Sequence, residues 1–184
     1  MPRVSGAPLH HGPRPEPGRF ECKWQDEMAK STESKTLTER IRALTEEVLT
    51  GTDYFLVDLN VRGHKGTRVV EVYVDGDEDF GHDDLATISK EIGFLLDVED
   101  VVEGSYNLEV SSPGIKRPLQ VPRQYQKNVG RTLRVRHDCN GNEDIDVGTL
   151  VRAGDEDIEI ELPSSERLTI PYAAITQARI ELPW

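Results

Sequence analysis

Seven basic side chains in one stretch of an otherwise acidic chain have the residue types and spacing best suited to bind a ligand. The chain has 184 residues and a formal net charge of −12, yet residues 112–136 contain no acidic residue. Arginine presents a planar fork of donors that fits phosphate or carboxylate, and lysine offers a compact point charge. We interpret this stretch as a candidate binding site for an anionic partner, formed by Lys116, Arg117, Arg123, Lys127, Arg131, Arg134 and Arg136.

The same charge distribution leaves a second interpretation open. Residues 35–111 carry 18 acidic and seven basic side chains, so some cations of the basic stretch would pair with carboxylates on neighbouring strands. If the stretch does bind a ligand, the protein has an acidic side for a basic protein and a basic side for phosphate. The overall negative charge argues against a protein that coats nucleic acid by bulk attraction.

Other candidate sites fail on their spacing. Asp75 begins an alternating run of three aspartates, but the positions where a calcium-binding EF-hand loop needs glycine and glutamate are Phe80 and Ala86. The sequence has no phosphate-binding glycine loop, no zinc-protease helix and no nucleophile elbow. We therefore expect no enzyme, no cofactor, no metal and no small-molecule substrate.

Hydrophobic periodicity predicts the elements that come before the basic stretch. A helix starts with a capping box at Thr36, and Gly51 ends it. Two strands joined by a hairpin turn follow, and the alternation places one apolar set on a single face of the first strand. Asp83 is the predicted N-cap of a second helix. The residues predicted to face the core are Leu37, Ile41, Leu44 and Val48, then Phe55, Val57, Leu59 and Val61, then Val70, Val72 and Val74, then Leu85, Ile88, Ile92 and Leu95.

A third strand around Leu108 and Val110 ends in a rigid turn at Pro113-Gly114. The segment from 113 onward displays the first two basic residues. Five short alternating runs follow, and they predict a small closed β-barrel, with one helical turn before the last strand. These runs cover residues 133–136, 145–151, 158–162, 168–170 and 175–180.

The chain is therefore predicted to have the α+β class and four parts. They are a disordered tail over 1–34, an αββαβ two-layer domain over 35–112, a linker over 113–123 and a five-stranded barrel over 124–184. No apolar run is long enough for a membrane span or a signal peptide. Cys22 and Cys139 are expected to be reduced thiols in a cytoplasmic, monomeric protein.

The strand and turn before the basic stretch resemble the signature of RimP, the bacterial ribosome maturation factor. The chain has Leu108-Glu-Val-Ser-Ser-Pro-Gly114, then Ile115 and Lys116, then Arg117-Pro-Leu119. Lys116 departs from the family, which usually has an acidic residue there. Weaker similarity lies at Leu96–Asp100, Gly148–Leu150 and Ile170–Tyr172, and the resemblance spans about residues 37–184.

The resemblance implies a non-enzymatic factor that binds the small (30S) ribosomal subunit during its assembly and promotes its maturation. Its implied partner is a basic ribosomal protein near the decoding centre, and its implied C-terminal domain is an SH3-like or Sm-like barrel. Contact of the basic stretch with 16S rRNA phosphate is a further hypothesis. Two alternatives stay open. One is an RNA-binding Sm-like module, and the other is a protein–protein adaptor without direct rRNA contact.

Overall fold

The computed structural model describes residues 35–139 and 141–182. The predicted tail over 1–34, including Cys22, lies outside the described residues. The contacts group the chain from Leu37 onward into one compact unit. Within the described residues, no helix is long and apolar enough to cross a bilayer.

Residues 35–111, here called the N-terminal half, follow the predicted order of helix, strand, strand, helix, strand. Strand β2 lies between the other two strands, antiparallel to β1 and parallel to β3. The parallel pairing is possible because α2 forms the crossover between β2 and β3. The elements are α1 (35–49), β1 (Tyr54–Arg62), β2 (Arg68–Gly76), α2 (His82–Val98) and β3 (Tyr106–Ser111).

Both helices contribute to one hydrophobic cluster with the sheet. Val70, Val72 and Val74 of β2 are fully buried there, because every second side chain of a β-strand lies on the same face and here that face is towards the helices. The helix residues of this cluster with the least exposure are Ile41 of α1 and Ile92 and Leu96 of α2. The core of the N-terminal half therefore lies between a helix layer and a sheet layer, as predicted.

Helix α2 begins two residues earlier than predicted and buries a slightly different face. Its N-cap is Gly81, whose backbone N–H donates to the Asp84 carboxylate at 2.9 Å, so the prediction of Asp83 as N-cap was wrong. Leu96 is buried in the core, whereas Leu95 is only half-buried. Adjacent residues point to different sides of a helix, and Leu96 is the one that belongs to the hydrophobic cluster.

A β-bulge in β1 overturns the predicted single apolar face of this strand. The register shifts between Leu56 and Asp58. Because the bulge inserts an extra residue, Leu56 and Leu59 both pack against the helix-covered core. Phe55 lies on the opposite side of the sheet, where its ring is covered by Arg123.

Residues 112–182, here called the C-terminal half, form a five-stranded antiparallel sheet after a short helix. The strand order is β7-β6-β5-β4-β8. A single 3-10 turn, Tyr172–Ala174, joins β7 to β8 as predicted. The elements are α3 (Pro122–Lys127), β4 (Thr132–Cys139), β5 (Asn142–Ala153), β6 (Asp157–Glu161), β7 (Arg167–Pro171) and β8 (Ile175–Ile180).

The sheet of the C-terminal half is open in its pairing. Among the described strands, β7 and β8 lie at its two edges, so closure into a barrel stays a prediction. The sheet has its own hydrophobic cluster, with Leu133, Leu150 and Ile158 fully buried. Cys139 is exposed at the end of β4.

Helix α3 was not predicted and straddles the expected end of the linker. Pro122 stands in its first turn, where the missing N–H costs nothing. The Gln124 side-chain oxygen accepts the N–H of Gln120 at 2.8 Å, and Gln124 is 2% exposed. Both features are ordinary signals of a helix start, so α3 could have been predicted from the sequence.

Candidate functional site

The turn after β3 separates the first two basic residues. Gly114 has a φ of 65°, a left-handed conformation that glycine adopts without steric cost. Its carbonyl accepts the N–H of Arg117 at 3.4 Å. As a result Lys116 is exposed, whereas Arg117 turns back and is half-buried.

Arg117 lies against the face of the N-terminal sheet that the helices do not cover. Its guanidinium is 3.7 Å from the centroid of the Tyr73 ring, a cation–π contact. It also forms an ion pair with Asp58. Asp58 and Tyr73 are register partners on β1 and β2, and the β1 bulge comes directly before Asp58. The bulge therefore helps to place the carboxylate that holds Arg117.

Arg123 of α3 binds the loop after β2 with both branches of its guanidinium. Its Nε donates to Asp77 at 2.7 Å and its Nη2 donates to the second carboxylate oxygen. The guanidinium carbon lies 4.8 Å from the centroid of Phe55. The hydrogen bond from Arg123 lowers the pKa of Asp77, although partial desolvation opposes this, and the same bond raises the pKa of Arg123.

Lys127 at the end of α3 completes this set of contacts. Its ammonium is 3.0 Å from Asp75 Oδ1 and donates to the Glu78 carbonyl at 3.2 Å. The side chains of Lys127 and Asp75 are only 17% and 13% exposed. We call the six residues of these three ion pairs the inner clasp, which consists of Arg117, Arg123, Lys127, Asp58, Asp75 and Asp77.

Arg134 and Arg136 lie elsewhere, on the exposed face of β4. Arg134 forms an ion pair with Glu181, and Arg136 lies 3.7 Å from Glu143. Arg134 is the register partner of Arg179 on β8, so two like charges stand directly opposite each other. Such a pair is unfavourable unless an anion lies near it. We call Arg134, Arg136 and Arg179 the outer arginine face.

Lys116 and Arg131 have no carboxylate within ion-pair distance among residues 35–139 and 141–182, and both are exposed. Arg131 lines a cleft of about 200 Å³ together with Ile115, Lys127 and Asn128. The cleft also has Asp75 in its wall, so its charge is mixed.

The structure therefore divides the predicted basic site in two. Three of its seven members are tied to N-terminal carboxylates, and Lys116, Arg131, Arg134 and Arg136 are exposed. Arg179 was missed by sequence reasoning. It is the single basic residue of the last alternating run, and its opposition to Arg134 depends on the β4–β8 pairing.

The carboxylates in the rejected calcium loop have a different role. Asp75 binds Lys127 and Asp77 binds Arg123. Within the described part of the chain, no group of three or more His, Cys, Asp or Glu side chains is arranged to hold a metal ion.

The fold and the candidate site combine two parts of opposite charge character. An acidic αββαβ half is joined by ion pairs to a second half that carries exposed arginines. Residues 44–116 match the family model of the RimP N-terminal domain, a segment that begins within α1 and ends at Lys116. The match supports the RimP family for this part of the chain and, in general terms, a role in ribosome maturation.

Proposed function

We propose that this protein binds the small (30S) ribosomal subunit while the subunit is being assembled and promotes its maturation by binding, without catalysing a reaction. The observation that carries the proposal is the match of residues 44–116 to the RimP N-terminal domain. The place of action is the cytoplasm, and the active species is a monomer.

The two signs of charge suggest two kinds of contact on the subunit. The acidic N-terminal half is suited to a basic ribosomal protein near the decoding centre. The exposed cations of the C-terminal half, Lys116, Arg131, Arg134 and Arg136, are suited to phosphates of 16S rRNA. The cations of the inner clasp are less accessible for this contact, because their carboxylate partners hold them against the N-terminal half. The ion pairs of Arg134 with Glu181 and of Arg136 with Glu143 lie on the exposed face of β4 instead.

The C-terminal half is proposed to be an SH3-like or Sm-like barrel. The five antiparallel strands and the 3-10 turn between β7 and β8 support this arrangement. A free-standing Sm-like RNA-binding module is less well supported, because single-strand binding usually needs exposed aromatic rings for stacking. Tyr125 is only 3% exposed, and Tyr172 packs edge-on against it at 5.2 Å.

Co-sedimentation with purified ribosomal subunits tests the proposal. We expect the protein to pellet with immature small subunits in preference to mature ones, and not with large subunits. Absence from both small-subunit pellets would overturn the proposal. Binding to free RNA without any preference for immature subunits would favour the Sm-like module instead.

A charge-reversed variant tests the proposed rRNA contact separately. The variant Lys116→Glu/Arg131→Glu/Arg134→Glu should bind immature subunits less tightly and with a weaker dependence on salt, since each lost phosphate contact removes about one unit of slope. Arg40→Glu, at an exposed position on α1, is the matched control. Unchanged affinity and slope would favour a protein–protein adaptor without direct rRNA contact.

A further inference from the structure

The outer face of α2 carries two large apolar side chains that the fold leaves in solvent. Phe94 is 67% exposed and Val98 is 60% exposed. They stand four residues apart, so they are neighbours on one face of the helix. The described large hydrophobic side chains outside α2 are at most 50% exposed. This face is thus the strongest candidate for a protein contact in the described residues.

The exposure of this face follows from the packing of the helix. Ile88, Ile92 and Leu96 are buried against the sheet on the opposite side of α2. Rotating the helix to cover Phe94 would expose this buried set and disrupt the core. A partner bound to this face would remove Phe94 and Val98 from water.

The charges around Phe94 and Val98 determine whether a basic or an acidic partner is favoured. Asp97, Glu99 and Asp100 surround the C-terminal end of α2, all exposed, and the last turn has no basic residue. The helix dipole places partial negative charge at this end, where cations are normally favoured. Lys90, one turn before Phe94 on α2, is also exposed and offsets one of these charges. The three carboxylates and the dipole still leave an excess of negative charge at the C-terminal end of this face.

One of these carboxylates has a fixed position. The Tyr106 hydroxyl donates to Asp97 Oδ1 at 2.7 Å. Burial first, and this hydrogen bond second, raise the pKa of Tyr106 to about 12, so the hydroxyl stays a donor at neutral pH. The carboxylate therefore does not have to be ordered when a cation arrives.

We propose that the acidic α2 face, formed by Phe94, Val98, Asp97, Glu99 and Asp100, binds a cationic protein segment that carries apolar side chains between its lysines or arginines. The inference rests on the proposed function in one respect, namely that a ribosomal protein would supply such a segment. The negative potential disfavours RNA and anionic lipid. It also disfavours a second copy of this chain, because a two-fold contact would bring the same carboxylates together.

A synthetic peptide is the first probe. It has leucine along one helical face and lysine along the other, and its matched control has glutamate in place of lysine. We expect the full chain to bind the lysine peptide in fluorescence anisotropy, and to bind the glutamate peptide at least tenfold more weakly. Equal affinity for the two peptides would overturn the proposal.

Variants locate the peptide on the surface. Phe94→Ser/Val98→Ser should weaken binding of the lysine peptide at least tenfold, and Glu99→Gln/Asp100→Asn should reduce the salt dependence. Ile145→Ser is the matched control, since Ile145 is 50% exposed on β5 in the other half. Circular dichroism and urea unfolding establish that all variants are folded. Unchanged peptide binding by folded Phe94→Ser/Val98→Ser would overturn the proposal.

Immature small subunits separate this inference from the proposed function. If wild-type protein binds the lysine peptide through α2 but fails to pellet with subunits, the α2 site stands and the proposed function fails. If wild-type protein pellets with subunits while peptide binding is insensitive to the α2 variants, the proposed function stands and the α2 site fails. Self-association that Phe94→Ser/Val98→Ser abolishes would assign the face to a second copy and also overturn the proposal.

Discussion

The inner clasp and the outer arginine face differ in what surrounds them, although both contain cations from the same acid-free stretch. Arg117 and Arg123 each have a carboxylate partner and an aromatic ring beneath the guanidinium. Arg134 forms an ion pair with Glu181, just after the end of β8, and lies opposite Arg179 in the β4–β8 pairing. The comparison shows that a basic run in sequence is not the same as a basic surface.

The physical origin of the difference lies in the N-terminal sheet. Only one face of that sheet is covered by helices, and the other presents rings and carboxylates. The segment from Arg117 to Lys127 lies on this second face, and its three cations form ion pairs with the carboxylates there. The outer arginine face has carboxylate neighbours only at the surface, Glu181 and Glu143, and β4 and β8 bring its three arginines together there.

The largest expected effect comes from reversing one charge of the inner clasp. Arg117→Glu places a carboxylate beside Asp58 and removes the contact with Tyr73, so we expect the free energy of unfolding to fall by about 2 kcal/mol. Urea denaturation measures this. Arg134→Glu is the matched control and should change stability by no more than about 0.5 kcal/mol. Equal losses for the two variants would remove the distinction between inner and outer arginines.

The next effect concerns binding instead of stability. Arg134→Glu/Arg179→Glu should weaken binding to 16S rRNA by about tenfold, as two charge reversals on an exposed face lower the number of phosphate contacts. Filter binding at several salt concentrations gives both the affinity and its slope. Should this variant bind rRNA as wild type does, Arg179 has no part in the contact.

A conservative substitution at Arg123 tests whether the inner clasp depends on charge alone or also on the two-pronged geometry of the guanidinium. Arg123→Lys keeps the charge but cannot bind both oxygens of Asp77, so a loss of about 0.5 to 1 kcal/mol in unfolding free energy is expected. Arg136→Lys, whose contact with Glu143 is longer, should be neutral in the same urea experiment. A neutral Arg123→Lys would mean that only the charge of residue 123 matters.

The smallest effect is a pH dependence. The folded pKa of Asp77 lies below its ordinary value of 3.8, chiefly because Arg123 donates to it. The contribution of Asp77 is therefore fully present above that ordinary pKa and is lost as the pH falls through the lower folded pKa. Asp77→Asn should cost about 0.5 kcal/mol at pH 7 and almost nothing at the acid end of this window. A cost independent of pH would contradict an electrostatic origin.

Much of the fold could be predicted from the order of residues. Among the described residues, period-two alternation located all eight strands to within a few residues, and period-3.6 patterns located both long helices. The bulge in β1 escaped prediction, because it depends on the pairing of β1 with β2, and the apolar alternation continues across the inserted residue. Helix α3 escaped although Pro122 and Gln124 signal it, since its six residues are too few for a periodic pattern.

The candidate site could be predicted only as a set of residues. Local sequence decides which residues are basic, which strands alternate and where Pro113-Gly114 turns the chain, since these depend on side-chain chemistry and backbone torsion angles. The pairing of Arg117 with Asp58, and of Arg134 with Arg179, depends on strand register and on segments about 45 to 59 residues apart. Tertiary structure alone decided which cations are neutralised, because charge compensation depends on distance in space and not on position along the chain.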